Sequence, residues 1–132
     1  MRTMDWTNTI EEWHAHGLLC RIKPGGYSLN GYVQIPGDLP PGADIDDARV
    51  ELSYGPDADG WIGFHTGHGW DYWETEDLAA HLPVERVWVA VEHRRMAMSL
   101  GADSHRWTRA ELRTETEQLA QRIAAALGLT TG

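Results

Sequence analysis

The sequence predicts an α+β fold, in which helices pack on one face of a small antiparallel β-sheet of about four strands. Two observations carry this prediction. Short apolar runs separated by Pro- and Gly-rich turns fill residues 18–65, and a long helical pattern follows at 108–127. The chain has 132 residues, the length of one domain, so residues 1–132 are expected to form a single α+β domain.

The C-terminal helix has a defined start, an apolar stripe and a defined end. Thr108 and Glu111 are spaced as in a capping box, in which the hydroxyl accepts a hydrogen bond from the later backbone amide. Gly128 is the residue type that most often ends a helix in the left-handed conformation. Side chains at helical spacing are predicted to face the sheet: Leu112, Thr116, Leu119, Ile123 and Leu127.

The beginning of the chain is predicted to contain a short helix and then a hairpin. Residues 5–16 form the expected helix, which Gly17 would end. The mostly apolar run 18–22 and the strand-like run 27–35, which contains Gly31, are separated by a strong Pro-Gly turn signal. This spacing suits two antiparallel strands.

The middle of the chain is predicted to contain a loop and a second hairpin. Residues 36–47 hold three prolines and four aspartates, so no regular element is expected there. The run 48–54 alternates apolar and polar residues, and 61–65 returns after the turn at 55–60. The alternation places three side chains on one face: Val50, Leu52 and Tyr54. Four strands paired mostly in chain order indicate an antiparallel meander.

Further helical segments are expected beyond the fourth strand. Residues 75–82 can form one or two helical turns before Pro83. The run 84–100 has both an alternation of valines, typical of a strand, and a helical spacing. Its good helix formers favour a helix, with a strand as the alternative. Residues 101–107 are predicted to be a connection.

Composition and charge argue against several classes of protein. The formal net charge is −9 and Lys23 is the single lysine, so the chain lacks the clustered cations that double-stranded nucleic acid requires. No apolar run is long enough to span a membrane, and the first residues do not resemble a secretory signal. Cys20 is the single cysteine, which excludes an intramolecular disulfide. These features predict a cytoplasmic protein with no membrane partner.

The segment that follows the fourth strand contains the first candidate site. His65, His68 and Asp71 recur at every third residue among glycines, and imidazole and carboxylate groups are favoured ligands of divalent transition metals. Such a metal would suit a hydrolase that acts through a bound water. Two alternatives stand beside it, a polar site without a metal and a structural role in which His65 packs beneath Trp70. No cofactor is assigned.

The aromatic content is the second candidate feature. Seven tryptophans in 132 residues are several times the usual number, and indole rings are seldom fully buried because their N–H needs a partner. Half-exposed rings could stack on a base, a sugar or a peptide, or the rings could simply fill a small core. The predicted ligand-binding set is Tyr32, Tyr54, Trp61, His65, His68, Trp70, Asp71 and Trp73.

The order of several motifs resembles that of a group of small uncharacterised proteins common in tailed-phage genomes and prophages. The matching segments are 17–22, 29–36, 48–54, 61–73 and 105–123. His68 and Asp71 stand where the family pattern has its histidine and second aspartate, whereas His65 replaces the first aspartate. The resemblance implies an origin in a phage or another mobile element, and the cytoplasm of a bacterial host as the location. It implies no established activity.

These observations favour a phage-type accessory protein that binds stoichiometrically and does not catalyse a reaction. The expected partner is a host protein or a small anionic, nucleotide-like ligand, held in an aromatic-rich pocket. One alternative is a metal-dependent hydrolase that uses His65, His68 and Asp71. A second is a virion or assembly protein, for which a homo-oligomer would cover a large apolar patch.

Overall fold

The structure is a computed structural model that describes residues 5–43, 45 and 51–129. It has an α+β fold, as the sequence predicts, and α3 is the expected C-terminal helix. The strands of the described residues are β1 (Glu11–Ala15), β2 (Leu18–Pro24), β3 (Leu29–Gln34), β4 (Leu52–Tyr54), β5 (Trp61–Phe64), β6 (Asp71–Trp73) and β7 (His105–Trp107). The helices are α1 (Thr75–Ala79), α2 (Val84–Met98) and α3 (Arg109–Leu127), with a short 3-10 turn at Gly101–Asp103.

The main sheet contains five strands in the order β1-β2-β3-β5-β4, and all neighbours are antiparallel. Both predicted hairpins are present. The pairing of β5 with β3 leaves β4 at the edge, so the sheet is not the simple meander that was predicted. Two strands that are not neighbours in the sheet, β3 and β4, are therefore joined by the connection after β3. Its described residues, 36–43 and 45, contain no helix or strand, as predicted.

The helix predicted at residues 5–16 is wrong, because the second half of this segment is β1. The side chains of β1 alternate between half-buried and exposed, which is the period of a strand. His16 and Gly17 form the tight turn to β2, with φ angles of 53° and 80°. On the half-buried side, Trp13 Nε1 donates to the Glu117 carboxylate of α3 at 3.0 Å. Contacts with distant residues therefore outweigh the local helix signals.

Helix α3 covers one face of the main sheet and contacts β1, β2 and β3. The Thr108 hydroxyl accepts from the Glu111 backbone N–H at 3.1 Å, and Gly128 ends the helix with a φ of 71°. The predicted inward stripe is confirmed, since Leu112, Thr116, Leu119 and Ile123 are buried and Leu127 packs against the core. These residues join the apolar side chains of β2, β3 and β5 in one hydrophobic core.

The opposite face of the main sheet carries a different set of side chains. Tyr32 lies on this face, and its ring covers Gly63 so closely that a Cβ at Gly63 would be 2.3 Å from the ring. On β4, Leu52 pairs with Phe64 and packs against the core, whereas Tyr54 contacts the Tyr32 ring. A register shift between Leu52 and Tyr54 places them on different faces, so the predicted common face is wrong. Val50 and the rest of 48–50 lie outside the described residues.

The second part of the chain forms a smaller layer beside the main sheet. The helix predicted within 75–82 is α1, and the helical alternative for 84–100 is confirmed as α2. The connection predicted at 101–107 is wrong at its end, because β7 pairs in parallel with β6. Three residues are too few to show a strand period, so β7 is defined by its partner alone. Among the described residues, no helix has the length and apolar character needed to cross a membrane.

Candidate functional site

The eight residues predicted to bind ligand form two clusters, one on a face of the main sheet and one in the segment after β5. Tyr32, Tyr54 and Trp61 lie on the sheet face opposite α3, and the other five residues follow the end of β5. The ring contacts of the described residues fall into separate sets, and none joins the two clusters. The aromatic residues therefore do not line one common pocket.

The cluster on the sheet face is closed by two residues that the sequence analysis missed, Trp6 and Arg21. The Trp6 ring lies 4.4 Å from the Trp61 ring and 5.5 Å from that of Tyr32, measured between ring centres. The Arg21 guanidinium lies 4.6 Å from the Trp6 ring centre and 4.7 Å from that of Trp61, within cation–π distance. Tyr32 and Trp61 are buried. This cluster therefore fastens the N-terminal segment to the sheet.

The second cluster is built on three rings of the loop between β5 and β6. The ring centres of His65 and His68 are 4.3 Å apart, and those of His68 and Trp70 are 4.8 Å apart. The planes of His68 and Trp70 are almost parallel, with an angle of 4°. Trp70, at one end of this series, is 49% exposed. We call His65, His68 and Trp70 the ring stack.

Asp71 holds the central ring of the stack. Its buried carboxylate accepts from the His68 backbone N–H at 3.0 Å and lies 2.8 Å from His68 Nδ1, both through Oδ2. The other oxygen, Oδ1, accepts from Trp107 Nε1 at 2.9 Å. Because an ionised carboxylate only accepts, His68 Nδ1 carries a hydrogen, and Nε2 of the neutral ring is an acceptor. The carboxylate thus sets both the tautomer and the orientation of His68.

Two backbone carbonyls of this loop accept hydrogen bonds from residues of α2 and β7. His93 of α2 places Nε2 2.8 Å from the His68 carbonyl oxygen, and the backbone N–H of His105 in β7 donates to the Trp70 carbonyl at 2.8 Å. Because a carbonyl oxygen only accepts, His93 Nε2 must carry its hydrogen. These contacts with α2 and β7 therefore hold the loop in place, and the Trp70 ring remains half exposed.

Trp73, the last of the predicted residues, has a structural role. Its ring is buried, and Nε1 donates to the Thr66 hydroxyl at 2.7 Å, which donates in turn to the Leu29 carbonyl at 2.7 Å. Nearby, the Tyr27 hydroxyl donates to the Gly67 carbonyl at 2.7 Å. These bonds join the loop to β3 and satisfy polar groups that burial would otherwise leave without partners.

The surroundings of His65 favour its neutral form. Its Nδ1 accepts from the Gly67 backbone N–H at 3.3 Å, so in that bond the nitrogen carries no hydrogen. Burial lowers the pKa of His65, and the neighbouring His68 lowers it further, while the charges of Asp71 and Glu51 act in the opposite direction. Protonation would therefore disturb the inner end of the ring stack.

The lowered pKa predicts a loss of stability in mild acid. The ordinary histidine pKa is about 6.5, so below this pH the unfolded chain binds a proton that the folded His65 resists. The free energy of unfolding should fall as the pH drops from 7.5 through 6.5, and level off below the pKa of the folded form. Urea titrations at several pH values measure this profile. His65→Asn should flatten it, because the titrating imidazole is gone. The amide oxygen can still accept from the Gly67 backbone N–H, so the loop contact is kept. The exposed His14, changed to Asn, is the matched control. An unchanged profile in His65→Asn would contradict the assignment.

The predicted metal ligands form a different arrangement. Within residues 5–43, 45 and 51–129, no three His, Cys, Asp or Glu side chains are placed to hold a metal ion together. Asp71 directs one oxygen at His68 and the other at Trp107. Cys20 is buried, and burial raises the pKa of its thiol to about 12, as expected for an unreactive core residue.

Comparison with known proteins adds no family to this description. Family models, curated proteins and solved structures contain no match to the chain. The interpretation of the ring stack therefore rests on its geometry.

Three residues that order the site were not predicted: His93, His105 and Trp107. They come from α2 and β7, at least 22 positions beyond Asp71 in the sequence. No local spacing relates them to the loop, so residue type was the single available signal. For Trp107, that signal was the expectation that a buried indole N–H finds an acceptor, which here is Asp71.

Proposed function

We propose that this protein binds a small, planar, nucleotide-like ligand, with the ligand ring stacked on Trp70. The observation that carries the proposal is the half-exposed Trp70 ring lying parallel to His68 at the end of the ring stack. One side of the indole meets His68, and the exposed side is available to a further ring. Binding of this kind needs no chemical step.

Preorganisation supports this function. Asp71 fixes His68 by two contacts, and His93 and His105 bind loop carbonyls, so the platform requires little ordering when a ligand arrives. An aromatic side chain that stacks on a base contributes about 1–3 kcal/mol. A rigid platform keeps most of that contribution, because less conformational entropy is lost on binding.

The exposed side chain of Arg106 supports the proposal that the ligand carries an anionic group. Arg106 follows His105, whose backbone N–H binds the Trp70 carbonyl, and its side chain is 53% exposed. Its Nε lies 3.7 Å from Glu74, a long ion pair that leaves donors of the guanidinium to the solvent. Other arginines are held more closely within the fold: Arg109 and Arg113 bind Glu11 at 2.6 and 2.7 Å. We assign Arg106 to a ligand phosphate because it is the exposed arginine of β7, the strand that binds the Trp70 carbonyl.

The cellular setting of this function is also a proposal. The resemblance to tailed-phage and prophage proteins suggests that the ligand is a bacterial signalling nucleotide or a related metabolite, sequestered in the host cytoplasm. A host protein that presents a planar, anionic group could occupy the same surface. The tests below distinguish a small ligand from such a partner, because they use pure nucleotides.

The proposed function predicts that loss of the Trp70 ring weakens nucleotide binding by roughly tenfold to a hundredfold. Isothermal titration calorimetry of AMP, GMP, CMP and UMP with wild-type protein, Trp70→Ala and Trp88→Ala would measure the change in dissociation constant. Trp88 is the matched control, because it is an exposed tryptophan of α2 that takes no part in the ring stack. We expect wild type and Trp88→Ala to bind alike.

A second comparison separates the contribution of the ligand's ring to binding from that of its phosphate. Arg106→Gln should weaken binding of a nucleoside monophosphate and leave binding of the corresponding nucleoside unchanged. Native mass spectrometry of freshly purified protein adds a direct observation, because a retained ligand would appear as several hundred daltons of extra mass that Trp70→Ala loses. Failure of all four nucleotides to bind, or equal binding by Trp70→Ala, would refute the proposed function.

A further inference from the structure

Helix α2 has small side chains inside and large apolar side chains outside. Ala90 and Ala97 are its buried residues, on the side that packs against β6 and α1. Trp88, Val84 and Met96 are 70%, 68% and 66% exposed. A surface helix normally has the reverse arrangement, with apolar side chains toward the core and polar ones toward water. The composition of α2 is therefore that of a helix covered on both sides.

Four of the exposed apolar side chains follow a line along one side of the helix, whereas Val89 and Met96 lie off this line. We call this line the α2 stripe, and its apolar members are Val84, Trp88, Val91 and Met98. They are separated by four, three and seven residues, which places them on one side of an α-helix. Arg95 lies on the same side and pairs with Glu92 at 2.7 Å, so the one charge within the line is partly neutralised inside the helix.

We propose that the α2 stripe is the contact surface between two copies of this chain. The four apolar residues of the stripe offer on the order of 450 Å² of accessible surface per chain, and the exposed Arg95 and Glu92 beside them add roughly 300 Å², close to the area of about 800 Å² that each partner contributes to a stable complex. A two-fold axis lets one apolar surface cover an identical one. This dimer does not depend on the proposed ligand, because the ring stack is formed within one chain.

The distribution of charge permits this contact. Residues 1–80 carry 14 acidic and 4 basic residues, whereas residues 81–132 carry 6 acidic and 7 basic residues. The strong negative charge of the chain therefore lies mostly outside the part that contains α2. Two copies that meet through α2 keep their acidic regions apart, so charge repulsion opposes the contact less than the net charge of −9 suggests.

The polarity of α2 favours an antiparallel arrangement of the two helices. Glu85 lies in the first turn and Arg95 in the last. Antiparallel pairing brings Glu85 of each copy toward Arg95 of the other, and the helix dipoles are then opposed favourably. Val91 is at the middle of the stripe, so the two copies of Val91 face each other across the two-fold axis. Val84 instead faces Met98 of the second copy.

Sedimentation equilibrium tests the dimer. Wild-type protein should have twice the chain mass of 14.8 kDa, and Trp88→Glu should have the single-chain mass. The matched control is Trp70→Glu, which places the same charge at another exposed tryptophan and should leave the dimer intact. Circular dichroism should show equal helix content in all three proteins, because Trp88 contributes little to the core of one chain.

Disulfide trapping tests the antiparallel arrangement and does not depend on Trp88→Glu. In Val91→Cys the two thiols meet at the axis, so mild oxidation should give a covalent dimer. In Val84→Cys the thiols are at opposite ends of the contact, and we expect no cross-link. The native Cys20 is buried with a raised thiol pKa and does not interfere.

Several results would overturn the proposal. A single-chain mass for wild-type protein at its highest soluble concentration would do so, as would a dimer that survives Trp88→Glu. Cross-linking of Val84→Cys in preference to Val91→Cys would exclude the antiparallel contact. A monomer that floats with phosphatidylcholine vesicles, and loses this property in Trp88→Glu, would show that a lipid surface occupies the stripe instead.

Discussion

Replacement of Asp71 by alanine should lower the free energy of unfolding by about 3 kcal/mol. The carboxylate is buried and joins three donors: the backbone N–H of His68, its Nδ1 and the indole Nε1 of Trp107. Without it, these donors lose their acceptor in a place where water enters poorly. The change in the urea midpoint at pH 7.5, with an unchanged slope, measures the loss.

Replacement of Asp71 by asparagine should cost less, about 1–2 kcal/mol. The amide oxygen can still accept from Trp107, but the amide nitrogen is a donor and faces the donors of His68. His68 then changes tautomer to accept at Nδ1, and nitrogen chemical shifts of the imidazole would detect this change. The backbone N–H of His68 remains without its acceptor.

Trp107→Phe provides the control for both Asp71 variants, because it removes the indole donor and keeps an aromatic ring in the core. If the carboxylate links the two elements as described, Trp107→Phe and Asp71→Ala should be less than additive in a double-mutant cycle, because each removes the same hydrogen bond. Stability equal to wild type in Asp71→Ala would mean that the carboxylate does not hold the loop.

The second large effect is expected at Gly31, where alanine should destabilise the protein by about 2 kcal/mol or more. A Cβ at this position would lie 2.2 Å from Thr116 Oγ1 and 3.0 Å from the Phe64 ring, both inside the core between β3 and α3. Thr116 is fully buried, and its hydroxyl donates to the Leu112 carbonyl at 2.7 Å. Either Thr116 must leave its rotamer and lose this hydrogen bond, or α3 must move away from the sheet, before the methyl group can be admitted.

Backbone preference alone predicts the opposite sign at Gly31. Glycine in a strand loses more conformational freedom on folding than alanine, so an unhindered replacement stabilises a protein by about 0.5–1 kcal/mol. Gly26 is the matched control, since nothing lies within 4 Å of a Cβ there, and its alanine variant should be neutral or slightly stabilising. The cost of Gly31→Ala should shrink in a Thr116→Ala background. An equal cost in both backgrounds would exclude this contact as the cause.

Elements with a strong local signal were predicted correctly. Helix α3 has a capping pair, an apolar stripe and a terminal glycine, all of which act between residues a few positions apart. The hairpin of β2 and β3 and the pairing of β4 with β5 follow from turn residues between apolar runs. The segment after β5 was also predicted to leave the regular strand pattern, and residues 65–70 form the loop between β5 and β6.

Elements that depend on contacts between distant residues were not predicted correctly. Residues 11–15 have local features of a helix start, yet they become β1 because β2 offers backbone partners and α3 offers Glu117 to Trp13. Strand β7 exists through its pairing with β6. The division of the predicted aromatic set follows from sheet register, which places Tyr32 above Gly63.

The sequence by itself determined the α+β class, the C-terminal helix and the segment that carries the candidate site, since each depends on residue type and short spacing. The tertiary structure decided which aromatic rings are buried in a cluster and which remain exposed to solvent. It brought Trp107 to Asp71 across 36 positions and turned the large side chains of α2 outward. Contacts of that kind depend on the packing of whole elements, and the free energy of such packing has no local pattern in the chain.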